Sequence, residues 1–149
     1  MTLDEVFKVR VGVEAPRTTG KTPGGELRVI AFTDGEFEGS GLRGRLLPGG
    51  TDWQCIRDDG SLEIRARYML ETDDGETIQV VSEGLRTASP EVLARLAAGE
   101  PVPSDEYYFR TFIRLASGAP RLKHFNDRLY VGVGEREAER VQITVYALP

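Results

Sequence analysis

The sequence has 149 residues, a formal net charge of −5 and 29% charged side chains, the profile of one ordinary soluble domain. A chain near this length buries roughly 70% of the surface it exposes unfolded, enough for a core without staples. One cysteine (Cys55) and one histidine (His124) exclude a disulfide framework, a multi-cysteine cluster and a two-histidine metal site.

The glycines, 17 in all, stand in clusters between short alternating runs, the punctuation of an all-β fold. In chain order, strands are predicted over Val6–Val13, Glu26–Thr33, Phe37–Leu47, Asp52–Arg57, Leu62–Glu71 and Thr77–Arg86, then Tyr107–Leu115, Leu129–Glu135 and Arg140–Leu148. Between them Thr33-Asp34-Gly35, Leu47-Pro48-Gly49-Gly50, Arg57-Asp58-Asp59-Gly60 and Thr72-Asp73-Asp74-Gly75 carry turn chemistry, because Asp-Gly supplies positive φ and Pro-Gly suits a type II turn. Ser89–Gly99 breaks the pattern: a Ser N-cap, Pro at the first helical position, Glu91 in the first turn and a terminal Gly predict one short helix. Val92, Leu93 and Leu96 give it a single apolar stripe able to lie on a sheet or plug a barrel end. Antiparallel strands in this number must hide their edges, so the expected architecture is a closed antiparallel β-barrel of about nine or ten strands in a single domain over residues 1–149.

Alternation sorts side chains onto two faces. Leu62, Ile64, Ala66, Tyr68 and Leu70 share one face of their strand; Tyr108, Arg110, Phe112 and Arg114 share one face of another. Aromatics and arginines in alternation fit the wall of a ligand cavity with a few polar groups; long side chains covering an outer face are the alternative. The densest polar stretch is Pro48–Gly60, where Asp52, Gln54 and Ile56 fall on one side and Trp53, Cys55 and Arg57 on the other. An inward Asp52 has its pKa raised by burial or lowered by a neighbouring arginine, and either state serves acid–base chemistry. All but three of the basic residues (Lys8, Lys21, Lys123) are arginine. Arg67, Arg86 and Arg110 lie within strands, where a guanidinium needs a carboxylate, an aromatic ring or an acidic ligand. Near the C-terminus His124, the one group that titrates near neutrality unaided, is followed by Asn126, whose amide fits a turn or a substrate carbonyl.

With these residues in view, the sequence resembles the uncharacterised family known as domain of unknown function 3237, or uncharacterised protein family 0311. The resemblance runs through Gly24-Gly25-Glu26-Leu27-Arg28, Asp34–Gly39, Leu47-Pro48-Gly49-Gly50-Thr51-Asp52-Trp53-Gln54, Asp59-Gly60, Arg65-Ala66-Arg67-Tyr68, Asp74-Gly75, Gly84-Leu85-Arg86 and Tyr108-Phe109-Arg110-Thr111. The Pro-Gly-Gly-x-Asp-Trp block with Ala-Arg-Tyr behind it is its specific part. The resemblance implies a compact β-barrel of bacterial and fungal proteins with a cavity and no established reaction. The chain departs from the family pattern at Phe112-Ile113-Arg114 and His124-Phe125-Asn126.

The expected function is a cofactor-free acid–base enzyme (isomerase, cyclase, lyase or hydrolase) acting on a small oxygen-rich molecule. Asp52 is the candidate base, Tyr68 or Tyr108 the proton donor, Arg67 and Arg110 the oxyanion stabilisers, Trp53 the apolar wall and His124 a second acid–base group. Arg86 and Asn126 complete the ligand-binding set, and no metal is called for. A binding barrel without turnover and an oligomeric scaffold are the alternatives, and a homodimer is compatible with each. A pI near 5.0 argues against a nucleic-acid partner. No apolar run approaches the roughly 18 residues of a membrane helix, and the first residues lack a leader's basic and apolar regions, so a cytoplasmic location is expected.

Overall fold

Closure of the barrel depends on one long strand. In the computed structural model, which describes residues 1–149, β1 (Asp4–Val13), β2 (Arg17–Thr22) and β3 (Gly25–Gly39) are followed by β4 (Leu42–Leu46), β5 (Thr51–Ile56), β6 (Leu62–Thr72) and β7 (Thr77–Ala88). Helix α1 (Pro90–Ala97) comes next, then β8 (Tyr107–Ala116), β9 (Tyr130–Arg136) and β10 (Arg140–Ala147). Every pairing is antiparallel. β3 accepts β1 and then β2 along one edge, and β4 and then β5 along the other; β4 and β5 both pair with β6. From β6 the sheet runs through β7, β8, β9 and β10 back to β1. The ten strands therefore fill the eight positions of a closed barrel, with no long free edge left exposed.

The long β3 corrects the expected turn at Thr33-Asp34-Gly35. The chain continues as one strand through these residues, with a register shift against β1 between Phe32 and Gly35, and reverses at Ser40-Gly41, where both residues have positive φ (52° and 76°). Gly35 serves a close approach instead: a Cβ there would sit 2.6 Å from the Arg10 carbonyl oxygen of the adjoining β1. Asp34 accepts hydrogen bonds from Thr33 Oγ1 and Arg140 Nη2 rather than capping a turn. β2 was not predicted, because Arg-Thr-Thr-Gly-Lys-Thr has no apolar face and is exposed almost throughout. The helix forms where expected, with the Ser89 hydroxyl accepting from the Val92 N–H at 3.3 Å. A further 3-10 segment, Pro120–Asp127, stands where only a loop was expected.

Alternation along β6 and β8 separates inside from outside. Leu62, Ile64, Ala66, Tyr68 and Leu70 point inward, as do Tyr107, Phe109, Thr111, Ile113 and Leu115. One end of the interior is solid. There Phe7, Phe37, Phe125 and Tyr130 pack edge to face with ring centroids 5.4 to 6.2 Å apart, around Leu70, Ile78 and Val145, all without exposed surface. The 3-10 segment plugs this end by inserting Leu122 and Phe125. Each such ring or aliphatic chain, removed from water, contributes about 1.5–3 kcal/mol.

Candidate functional site

The opposite end of the barrel is hollow. A cavity of about 760 Å3 extends from Val9 and Val11 on β1 across β3, β5 and β6 to Phe109 and Thr111 on β8, a size that suits a small organic ligand. Leu93 and Leu96 of α1 cover part of it, and Glu14–Pro16 with the β9–β10 turn at Glu137–Glu139 form its rim. Its polar groups are delivered by register. Across β3, β5, β6 and β7, Arg28 stands opposite Gln54, Gln54 opposite Ile64, and Ile64 opposite Gly84. One step towards the solid end, Ile30, Asp52, Ala66 and Ser82 form the adjoining row, and one step towards the mouth Leu62 faces Arg86. Period-two alternation places all three rows on the inner wall.

Asp52 is the centre of this wall and is 8% exposed. Gln54 Nε2 donates to its Oδ2 at 2.7 Å, and the Arg65 backbone N–H donates to its Oδ1 at 3.0 Å. Gln54 is itself fixed by Arg28, whose Nε donates to the amide oxygen at 2.7 Å. Burial raises the Asp52 pKa above the ordinary carboxylate value, against the opposing pull of the Gln54 amide, the Arg65 N–H and the guanidiniums of Arg28 and Arg86. Tyr68, 5% exposed, packs its ring edge-on against Phe32 at 5.6 Å, and its buried hydroxyl has no hydrogen-bond partner. Burial, reinforced by the Asp52 charge, pushes the phenol pKa up, so Tyr68 keeps its proton and stays a donor.

Arg86 Nε is likewise buried without a partner. Burial, then repulsion from Arg136 and Arg28, pushes its pKa down to about 10, which leaves it charged at neutral pH. Arg28 is lowered chiefly by burial as well, against the opposing pull of Glu26 and Asp52 and with a smaller push from Arg136 in the same direction as burial. The Thr111 hydroxyl adds another unpaired buried atom to the cavity wall. The hollow end thus carries one oriented carboxylate, one protonated phenol and several guanidiniums without a full complement of partners.

Of the residues singled out from sequence, the structure sets Asp52, Tyr68 and Arg86 along the wall of one cavity and places the others elsewhere. Trp53 is 62% exposed, Tyr108 is 54% exposed, and Arg67 and Arg110 lie with them on the outer face. Arg110 sits 5.3 Å from the centre of the Tyr108 ring and donates to the Phe109 carbonyl. The aromatic–arginine alternation is therefore an outer surface, on which the Arg110 guanidinium lies over the Tyr108 ring while Trp53 and Phe112 stand exposed, and Asp52 and Arg110 do not form one site. His124 and Asn126 belong to the plug at the solid end. The exposed imidazole lies tilted at 48° against the Phe125 ring, centroids 4.5 Å apart, while the Asn126 amide accepts from the Ser117 N–H and donates to the Ser117 and Lys123 carbonyls.

Three contributors were not singled out from sequence. Gln54 was assigned to the Asp52 side of its strand without a role. Arg136 continues the inward series Tyr130, Gly132, Gly134 along β9, a pattern visible in Tyr-x-Gly-x-Gly-x-Arg. Arg28 had no clear signal, because β3 is partly buried on both faces around it.

Fold and site together define a closed antiparallel barrel with a mainly apolar cavity at one end, into whose wall a buried carboxylate and several arginines are set. The chain belongs to the family described as protein of unknown function (DUF3237), which matches residues 1–148. A UPF0311 protein of Rhodopseudomonas palustris is 36% identical over 141 residues, covering 95% of this chain and 92% of the relative. The crystal structure of a conserved protein of unknown function from R. palustris superimposes with a TM-score of 0.92 at 36% identity, over 99% of this chain and 97% of that one. More distantly, a protein described as an enzyme from Penicillium herquei has the same fold, with a TM-score of 0.73 at 15% identity, covering 99% and 94% of the two chains.

Proposed function

We propose that the protein is a cofactor-free acid–base enzyme that acts on a small oxygen-rich organic molecule inside the barrel. The observation that carries this reading is the pairing of an oriented, buried Asp52 carboxylate with the unpartnered Tyr68 hydroxyl on one cavity wall. A carboxylate whose pKa is raised by burial is a stronger base than one in water, and fixed donors beside it lower the cost of charge that develops on a substrate oxygen. In this reading Asp52 takes a proton from a substrate C–H or O–H, and the electron pair left behind moves towards a substrate oxygen. Tyr68 donates a hydrogen bond to that oxygen, and Asp52 then returns the proton at the new position. Gln54 and the Arg65 N–H hold the carboxylate at a fixed angle, so little reorganisation accompanies each transfer. The naming of the P. herquei relative as an enzyme accords with catalysis on this barrel and says nothing about the substrate here.

Mass spectrometry of a small-molecule extract incubated with the protein tests the proposal. A mass that changes with the wild type and persists with Asp52→Asn supports it, the expected loss being on the order of 10²-fold or more in rate. A mass that the protein retains unchanged makes the barrel a carrier instead.

A further inference from the structure

The guanidiniums of Arg28, Arg86 and Arg136 all border the one cavity, and none of the three takes part in a salt bridge. All are half-buried. The partners they do have are neutral: Arg28 donates to Gln54 and Arg136 Nη1 to the Glu100 carbonyl at 3.4 Å. Arg86 Nε has none. Asp52 is the one buried acid of the cavity, and its oxygens already accept from Gln54 and the Arg65 N–H. Acids at the rim are spent or exposed. Glu137 pairs with Arg10, while Glu14, Asp58, Asp59 and Glu139 face solvent. The charges of Arg136 and Arg28 both act against that of Arg86, and like charges taken partly out of water repel one another unless an anion stands between them.

We propose that Arg28, Arg86 and Arg136 form an oxyanion subsite, so that the molecule this barrel takes is an organic acid with an apolar body. Its acidic group lies at the arginines and its body against Ile64, Phe109 and Ile143, which line the same space. Guanidinium forks recognise carboxylate and phosphate through paired N–H donors, and Arg86 Nε is left free for such a bond. The proposal deepens the catalytic reading by naming a substrate class for the same cavity. It also sets a geometry in which the acidic group anchors at the mouth end and the reacting atoms reach Asp52, one row further in than Arg28 and two further in than Arg86.

Benzoate, phenyl phosphate and the neutral isostere benzamide are the probes, each titrated into the full-length protein while backbone amide signals are followed by NMR. Benzoate is expected to move signals of β7 and β8 around Arg86 and Thr111 with saturation, and benzamide to leave them in place. Phenyl phosphate binding in preference to benzoate assigns the head group as a phosphate ester; the reverse assigns it as a carboxylate. Arg86→Gln should weaken benzoate at least about tenfold while raising the melting temperature, because it removes an uncompensated charge. A purely structural arginine would give the opposite change in melting. The outer-face variant Arg110→Gln serves as the folding control and should bind as the wild type does. Equal binding of benzoate and benzamide, or benzoate affinity unchanged in both Arg86→Gln and Arg136→Gln, overturns the subsite. If benzoate is selected but Asp52→Asn turns over extract normally, the subsite stands and the acid–base reading falls; Asp52-dependent turnover without anion selectivity gives the reverse.

Discussion

Asp52 is a costly residue from the standpoint of folding. Its carboxyl pKa is raised in the folded protein, chiefly by burial, above the ordinary 3.8. The folded chain therefore holds this proton over a pH range in which the unfolded chain has released it, and stability contributed at this position falls as pH rises through that range. Asn carries no such titration. The difference in unfolding free energy between Asp52→Asn and the wild type is expected to shift in the variant's favour as pH rises from below 3.8, then to level off once the folded carboxyl is ionised. Denaturant titrations of both proteins across that interval check the sign, and a difference that moves the other way contradicts the raised pKa. Tyr68→Phe removes a buried hydroxyl with no partner, so it should leave stability unchanged or raise it by about 1 kcal/mol while lowering turnover on the order of 10²-fold. Tyr68 was legible because its neighbours on the inward face, Ala66 and Leu70, are apolar, whereas Asp52 and Arg86 stood out only as charged residues within strands. The alternation around Trp53, Arg67, Tyr108 and Arg110 was legible too, but not which side of the sheet it faced. An arginine beside an aromatic ring satisfies a cavity wall and a solvated surface equally well. Only the barrel's closure decides, by turning Phe109 and Thr111 inward.

At the scale of elements, α1 and the 3-10 plug close the two ends by different means. α1 depends on its cap: Ser89→Ala removes the acceptor for the Val92 N–H and should cost about 1 kcal/mol. The loss is expected to appear first as faster amide exchange in Pro90–Ala97 than in β6, since the helix touches the barrel mainly through Val92, Leu93 and Leu96. The plug depends on packing. Phe125 contacts Phe7 and Tyr130 edge to face and is 2% exposed, so Phe125→Ala should destabilise by about 3–5 kcal/mol in chemical denaturation without altering the geometry around Asp52. Helix α1 was legible because capping, proline placement and stripe all agree. The plug was not, since Pro120–Asp127 offers only Leu122 and Phe125 to a core, too few for a helical period. Strand β2 was invisible for the same reason in stronger form. β3 failed as a single strand in the reading of sequence because Asp-Gly is a turn signal locally, and its use here, letting β1 approach the Gly35 backbone, is a tertiary demand.

The molecule as a whole has one filled and one hollow barrel end. Aromatic packing fills the end closed by Phe125, and the end under α1 keeps about 760 Å3 of open space with its charged groups incompletely paired. Glycine helps to keep the strands close at that end: the Phe109 ring occupies the place a Cβ of Gly134 would take. Gly134→Ala should therefore displace Phe109 into the cavity, and ligand retention should fall more steeply than the melting temperature. The opposition of filled and hollow ends also explains why the family resemblance was easy to see and the site was not. Turn and core residues spread along the whole chain advertise the barrel, whereas the site is assembled from β3, β5, β6, β7 and β9, which meet only through register.

The claim that chemistry occurs inside the barrel, on the wall shared by Asp52, Tyr68 and Arg86, is tested most directly by comparing inner-face and outer-face variants in one assay. A small-molecule extract is incubated in parallel with the wild type, Tyr68→Phe, and the outer-face double variant Trp53→Ala/Arg110→Gln, and consumed and retained masses are recorded. The structure predicts that Tyr68→Phe loses the wild-type change while the outer-face variant reproduces it; loss in the outer-face variant with Tyr68→Phe unaffected would contradict the claim and move the functional surface to the outside of the sheet.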